Sequence, residues 1–200
     1  MTAFWDERYN QPDYVYGTAP NEFLVEAVAA VPPGRALGLG EGEGRNAVYL
    51  AAHGFDVLAV DSSAVGLLKA QRLAAERGVS IDTVTADLAD FALEPERWDL
   101  IYSIFCHLPP AIRRPLYARV VAGLKPDGRF VLEAYTPAQL SYDTGGPKDV
   151  TMLLSLEDLQ AELSGLEFVR AQELMREVRE GAHHTGLAAV VQLVARKPAP

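Results

Sequence analysis

Residues 36–46 read Ala-Leu-Gly-Leu-Gly-Glu-Gly-Glu-Gly-Arg-Asn, with glycine at every second position from Gly38 to Gly44. Such a turn lets the backbone fold tightly and lets a ligand approach it closely. The free amides of a helix that follows would point at that ligand. Two acids stand downstream at useful spacings. Asp61 closes the apolar run 56–60, 21 residues after Gly40, and Asp87 closes the run 81–86, with Leu88 next to it. In a doubly wound sheet Asp61 would lie beside the turn, where a carboxylate accepts from both hydroxyls of a ribose. Asp87 and Leu88 would suit the edge of an adenine. Either acid alone would read as an ordinary strand-end residue. Turn and acids together predict an adenosine-containing ligand.

Charge narrows the choice of ligand. A nicotinamide or flavin cofactor brings a diphosphate to the turn, and Glu41 and Glu43 would repel it. The third glycine is also one residue early for the dinucleotide fingerprint. S-adenosylmethionine (SAM) has no phosphate and carries a positive sulfonium, next to which carboxylates are tolerable or helpful. The electrostatics favour SAM.

The elements that must position these residues alternate between short apolar runs and helix-period segments, as a parallel sheet flanked by helices requires. Asn21 reads as the N-cap of a first helix whose Leu24, Ala27, Val28 and Val31 share a face. Strands are expected at 36–39, 56–60, 81–86, 98–104 and 129–135. Helices are expected at 45–53, closed by Gly54, at 63–77, closed by Gly78, and from about Pro115, carrying Leu116, Val120 and Leu124 inward. Lys125–Gly128 reads as a turn. Ser155–Asp158 resembles a capping box ahead of Leu156, Leu159 and Leu163. Runs 167–178 and 188–197, joined by 179–186, read as a hairpin. The expectation is α/β: five βα units plus an antiparallel C-terminal hairpin, a doubly wound, Rossmann-like, seven-stranded sheet.

The chain's 200 residues fit one domain. A net charge of -9 argues against nucleic-acid and acidic-membrane partners. One cysteine, Cys106, forbids an internal disulfide and favours a reducing compartment. The opening 1–8 contains acids and lacks the apolar stretch of a signal peptide. No run approaches the roughly 20 apolar residues of a membrane span. A cytoplasmic location is expected.

These residues resemble those of class I SAM-dependent methyltransferases over essentially the whole length, and small bacterial enzymes of the tellurite-resistance type in particular. The matching stretches are 40–50, Val60-Asp61-Ser62, Ala86-Asp87-Leu88 and 98–103, with 4–9 and 16–21 similar to the lid region of that family. The resemblance implies one domain over 1–200: a lid and helix in 1–31, a SAM-binding core in 35–135, and a C-terminal helix and hairpin in 136–200. It implies SAM as cofactor, held by Gly40, Glu41, Gly42, Gly44 and Asn46 at the methionine end. Asp61 and Ser62 would hold the ribose, Asp87 and Leu88 the adenine, and Ser103 would stand beside the methionine. Where the family usually has an acid the chain has Gly38, and where it often has a small residue the chain has Glu41. On that pattern Gly38→Asp would tighten binding.

The acceptor side carries less signal. Cys106 and His107 follow the fourth strand, where the family places substrate-facing residues. His107 is the candidate general base, and Cys106 and Tyr16 are candidate substrate contacts, though a lone Cys there is more often buried filler and Tyr16 reads equally as packing. Trp5, Tyr9 and Tyr14 either close over the ligands or pack on the sheet. His183 and His184 lack a third ligand, so no metal is expected. Arg176, Arg179 and His183 read as solvated strand ends or an anion pocket. The partner expected is a small molecule bound by a monomer or homodimer, and the acceptor a soft nucleophile such as a thiol or chalcogen oxyanion. The alternatives are a SAM- or adenosine-binding protein without transferase activity, and an NAD-dependent oxidoreductase.

Overall fold

A computed structural model describes residues 2–181 and 184–199. Its seven-stranded sheet contains β1 (Arg35–Leu39), β2 (Asp56–Asp61), β3 (Asp82–Thr85), β4 (Trp98–Ile104), β5 (Leu124–Tyr135), β6 (Glu167–Glu180) and β7 (His184–Arg196). The order is β3-β2-β1-β4-β5-β7-β6. The first five strands are parallel, and β7 runs antiparallel to both β5 and β6. Strand order reverses between β1 and β4, the place where open α/β sheets form a ligand crevice.

Alternation along the central strands builds two cores. Leu37, Leu39, Val60, Ile101, Phe130 and Leu132 face one side with Leu116, Tyr117 and Val120 of α5 (Pro110–Gly123) and Leu159 of α6 (Leu156–Glu162). Ala36, Val57, Ala59, Leu100, Tyr102 and Val131 face the other. There they meet α2 (Glu22–Val28), α3 (Arg45–Ala52) and α4 (Ala64–Glu76). Strands buried on both faces are near-continuously apolar, as these are. The expected caps form. Asn21 Oδ1 accepts from Leu24 N at 2.9 Å, and Ser155 and Asp158 make a reciprocal capping box.

Several expectations need correction. Residues 2–9 form a helix, α1 (Thr2–Tyr9), which the pattern did not announce. Helix α5 starts at Pro110, with Pro115 inside it. Pro110 supplies the preset first-turn φ, and Pro115 lies early enough that its missing N–H removes only the bond to Ala111. Leu124 is buried but belongs to β5, not the helix. The turn at 125–128 interrupts β5 as a bulge, where pairing jumps from Trp98↔Leu124 to Leu100↔Arg129 and Asp127 takes φ 63°. Five βα units do not form, because 86–97 contains no helix. Arg119 Nη2 holds that loop instead, donating to the carbonyls of Leu88 at 2.6 Å and Ala89 at 3.1 Å. The hairpin strands continue to Glu180 and from His184, so the eight-residue connection expected is shorter. Within it, His183 lies outside the described residues.

Candidate functional site

A cleft of about 720 Å³ opens where β1, β2 and β4 end. Gly40, Glu41, Asn46, Asp61, Ser62, Asp87, Leu88, Tyr16, Cys106 and His107 all border it. Gly42, Gly44 and Ser103 do not. A Cβ on Gly42 would stand 2.6 Å from Tyr9 Oη, and one on Gly44, the left-handed N-cap of α3, would collide with Ala70. These two glycines pack the turn against α1 and α4. Ser103 is buried in β4 and hydrogen-bonds Cys106.

Asp61 is fixed by the turn it serves. Its Oδ2 accepts from Gly42 N and its Oδ1 from Ser63 N, each at 2.8 Å. Burial pushes the carboxyl above its ordinary value, against the opposing pull of those amides. Each oxygen keeps a lone pair for a ribose hydroxyl. Asp87 Oδ1 accepts from Ala89 N at 2.9 Å, which orders the loop carrying buried Leu88. This donor and acceptor set fits an adenosine.

Glu41 explains Gly38. Its Oε1 accepts from Ala47 N at 2.8 Å, and its Oε2 lies 2.5 Å from where a Gly38 Cβ would be. Tyr102 Oη fills the same space, 2.4 Å from that point. An acid is therefore present over the first glycine, delivered by the turn instead of the strand. Burial raises the Glu41 carboxyl to about 7, although Tyr102, Ala47 N and Arg45 favour the charged form. A carboxyl raised in the folded state binds a proton between the unfolded value and about 7, so its ionisation disfavours the free fold as pH rises through that window. A cationic ligand reverses the preference. SAM affinity is expected to rise as pH increases from 6 to 8, and calorimetry should show that rise reduced in Glu41→Gln.

His107 does not fit the base role assigned to it. Its Nε2 accepts from Tyr135 N at 3.0 Å, and its Nδ1 lies 3.1 Å from the Phe105 carbonyl. Both nitrogens are engaged with backbone, so the ring is a neutral Nδ1–H tautomer. Burial lowers it to about 4. It ties the end of β4 to β5. His107→Ala is expected to lower stability by about 2–3 kcal/mol, the cost of orphaning buried backbone groups, and turnover by less than about tenfold. Denaturant melts and single-turnover rates measure both. Cys106 also borders the cleft. Its Sγ lies under Gly40, and burial pushes the thiol up to about 12.

Several site residues gave no sequence signal. Glu43, read only as a charge in the turn, is buried. Its Oε1 pairs with Lys69 Nζ at 2.5 Å, and its Oε2 accepts from Val15 N at 2.8 Å. Lys69 Nζ also donates to the carbonyls of Tyr9, Gln11 and Asp13. This clasp holds 9–16 as a strap over the glycine turn. Tyr16, on the strap, packs against His184, with ring centroids 4.6 Å apart. His184 also borders the cleft. Arg176 makes no anion pocket, since it bonds Glu133 twice and Glu180 once. Arg45 joins that network through Nη2, which donates to Glu180 Oε2 at 2.5 Å. Except for Arg176 and Glu180, which are four apart, these partners are tens of residues apart in sequence, beyond the reach of any local pattern.

Residues 36–128, a little under half of the chain, match the family described as a methyltransferase domain. Among solved structures, that of TehB from Haemophilus influenzae is 21% identical, with a TM-score of 0.73 over 98% of this chain and 66% of that one. A structure described as concerning the conversion of a disulfide bond into a thioacetal group during echinomycin biosynthesis is 18% identical. It has a TM-score of 0.76 over 99% of this chain and 92% of that one. A curated relative, hemagglutinin 1 from Eikenella corrodens, is 31% identical over 113 residues, 56% of this chain and 37% of the relative. The match thus spans little more than a third of that relative. No described helix is long and apolar enough to cross a membrane.

Proposed function

We propose that this protein transfers the methyl group of SAM to a small molecule bearing a soft nucleophile, such as a thiol or chalcogen oxyanion. The observation that carries the acceptor class is the state of His107, whose two nitrogens serve the backbone and leave no imidazole base on the loop after β4. A thiolate or oxyanion needs no base, whereas a hydroxyl or neutral amine does. Bound SAM supplies an activated methyl on a sulfonium that departs as a neutral thioether. The chain's own part is to align and to exclude water. Asp61 and Asp87 would hold the nucleoside. The strap, with Trp5, Tyr9 and Tyr16 on the cleft wall, would close over the acceptor. A roofed cleft of this size and an acidic surface suit a small molecule better than a macromolecule.

A binding protein without transferase activity would be favoured by the lack of an acid at Gly38, but the Glu41 carboxylate stands over that glycine. Calorimetry and thermal melts with SAM, S-adenosylhomocysteine and NAD separate the three possibilities. SAM and its demethylated product are expected to raise the melting temperature by mass action, and NAD is not. No shift at millimolar SAM would sink the cofactor assignment. Labelled SAM offered with thiols, tellurite, amines and cell extract then reports the acceptor. Label found in protein or RNA overturns the small-molecule claim. A loss beyond about 100-fold in His184→Ala, with SAM affinity intact, would instead reveal a base and a harder nucleophile.

A further inference from the structure

We propose that the acceptor is a thiol carried on a flat aromatic ring, selected by stacking against Phe105, Tyr16 and His184. The inference rests on the soft-nucleophile reading above and narrows it to one substrate class.

Topology sets these rings apart from the nucleoside acids. Asp61 and Asp87 follow β2 and β3 on one side of β1, whereas Phe105 follows β4 and His184 opens β7 on the other. Tyr16 reaches the same region from the strap, and all three rings border the cleft. His184 joins the other two. Its ring centroid lies 4.6 Å from that of Tyr16 and 5.0 Å from that of Phe105, the latter edge-on at 71°.

Phe105 carries the argument furthest. Its φ is 53°, in the left-handed region that a bulky residue enters only at a cost. Its N–H donates to the Glu133 carbonyl at 2.8 Å, which fixes that backbone. Glycine would hold the same turn without strain, so the ring is what the position retains. The neighbouring wall is set as closely. A Cβ on Gly146 would stand 2.7 Å from Tyr135 Cδ2, and Tyr135 packs on Phe105 with centroids 4.6 Å apart. Gly145, Gly146 and Pro147 therefore close the cleft directly against this ring cluster.

Aromatic walls favour a flat ring over a puckered one, through offset stacking and edge-to-face contact. Their faces are negative, so they offer a hydrated oxyanion nothing. An aryl thiol also ionises more readily than an alkyl thiol, because the ring spreads the charge, and the thiolate is the attacking species. That suits a cleft in which His107 supplies no base. The thiol proton passes to water first. The thiolate sulfur then bonds the methyl carbon as the bond from that carbon to the sulfonium breaks onto sulfur. The products are a methyl aryl thioether and S-adenosylhomocysteine, both uncharged at sulfur.

Two thioethers of similar size test the ring without any thiol ionisation. Thioanisole and cyclohexyl methyl sulfide are titrated by calorimetry into the full chain saturated with S-adenosylhomocysteine. Thioanisole is expected to bind at least roughly 10-fold tighter, as two stacking contacts supply. Tyr16→Leu and Phe105→Leu should each bring that ratio below about threefold, whereas Tyr16→Phe keeps it. If Phe105→Leu does not fold, the two Tyr16 variants decide. Equal binding of the two sulfides by the wild type overturns the proposal, and so does an unchanged ratio in the folded Leu variants. Turnover of thiophenol and cyclohexanethiol, compared per thiolate present, should follow the same order. Methylation of tellurite or cyclohexanethiol but not of thiophenol overturns the aryl thiol and leaves the soft-nucleophile reading standing. No methylation of any of the three, with SAM bound, overturns both.

Discussion

Gly38→Asp is expected to damage the protein instead of tightening its hold on a ligand. The first atom of any side chain there would sit 2.4 Å from Tyr102 Oη and 2.5 Å from Glu41 Oε2. Tyr102 is fully packed in the sheet and cannot retreat, and the new carboxylate would face an existing one in a buried space. Overpacking typically costs about 1–3 kcal/mol, and an unpaired buried charge adds to it. A drop of about 10 °C in melting temperature follows for a chain of this size. Adding Glu41→Gly and Tyr102→Phe empties the space and should recover much of the loss. A single variant with wild-type melting and stronger SAM binding would show that the turn repacks freely.

Lys69→Met is the second large effect. It leaves the Glu43 carboxylate buried without its cation, and the carbonyls of Tyr9, Gln11 and Asp13 without their donor. Breaking a buried ion pair from one side costs about 3–5 kcal/mol. The strap should loosen first, so amides of 9–16 should lose hydrogen-exchange protection before the sheet does. The pair Glu43→Gln with Lys69→Met should be milder than Lys69→Met alone, because no isolated charge remains. Exchange in 9–16 matching the wild type would show that the strap is held by its aromatic contacts.

What could be read from the sequence was local. Asn21 and Ser155 are recognisable as caps because a cap bonds three residues ahead, and β4 because five of its seven residues are apolar or aromatic and β-favouring. The glycine turn with Asp61 pointed to the cleft because register in a parallel sheet fixes that spacing. What failed had distant causes. His107 passes for a base until the Tyr135 amide, 28 residues away, takes its Nε2. Gly38 looks like a missing acid until Glu41 folds back over it. In the sequence of α5, Pro115 resembles a first-turn residue as well as Pro110 does, so the pattern alone starts the helix five residues late.

The bond between Asn21 Nδ2 and Glu180 Oε1 joins residues 159 apart, and Gly181 packs against Val15 and Tyr16. A nascent chain leaving the ribosome at about 5–20 residues per second would wait roughly 10–30 s between exposing these two partners. Through that interval the Lys69 clasp can hold the start of the strap, but Tyr16 has no hairpin to dock on. The parallel strands can assemble vectorially, but the cleft acquires its roof last, when the hairpin arrives. Stalling translation before residue 180 should therefore yield a chain with a sheet-like core whose residues 16–21, at the end of the strap, remain open to protease.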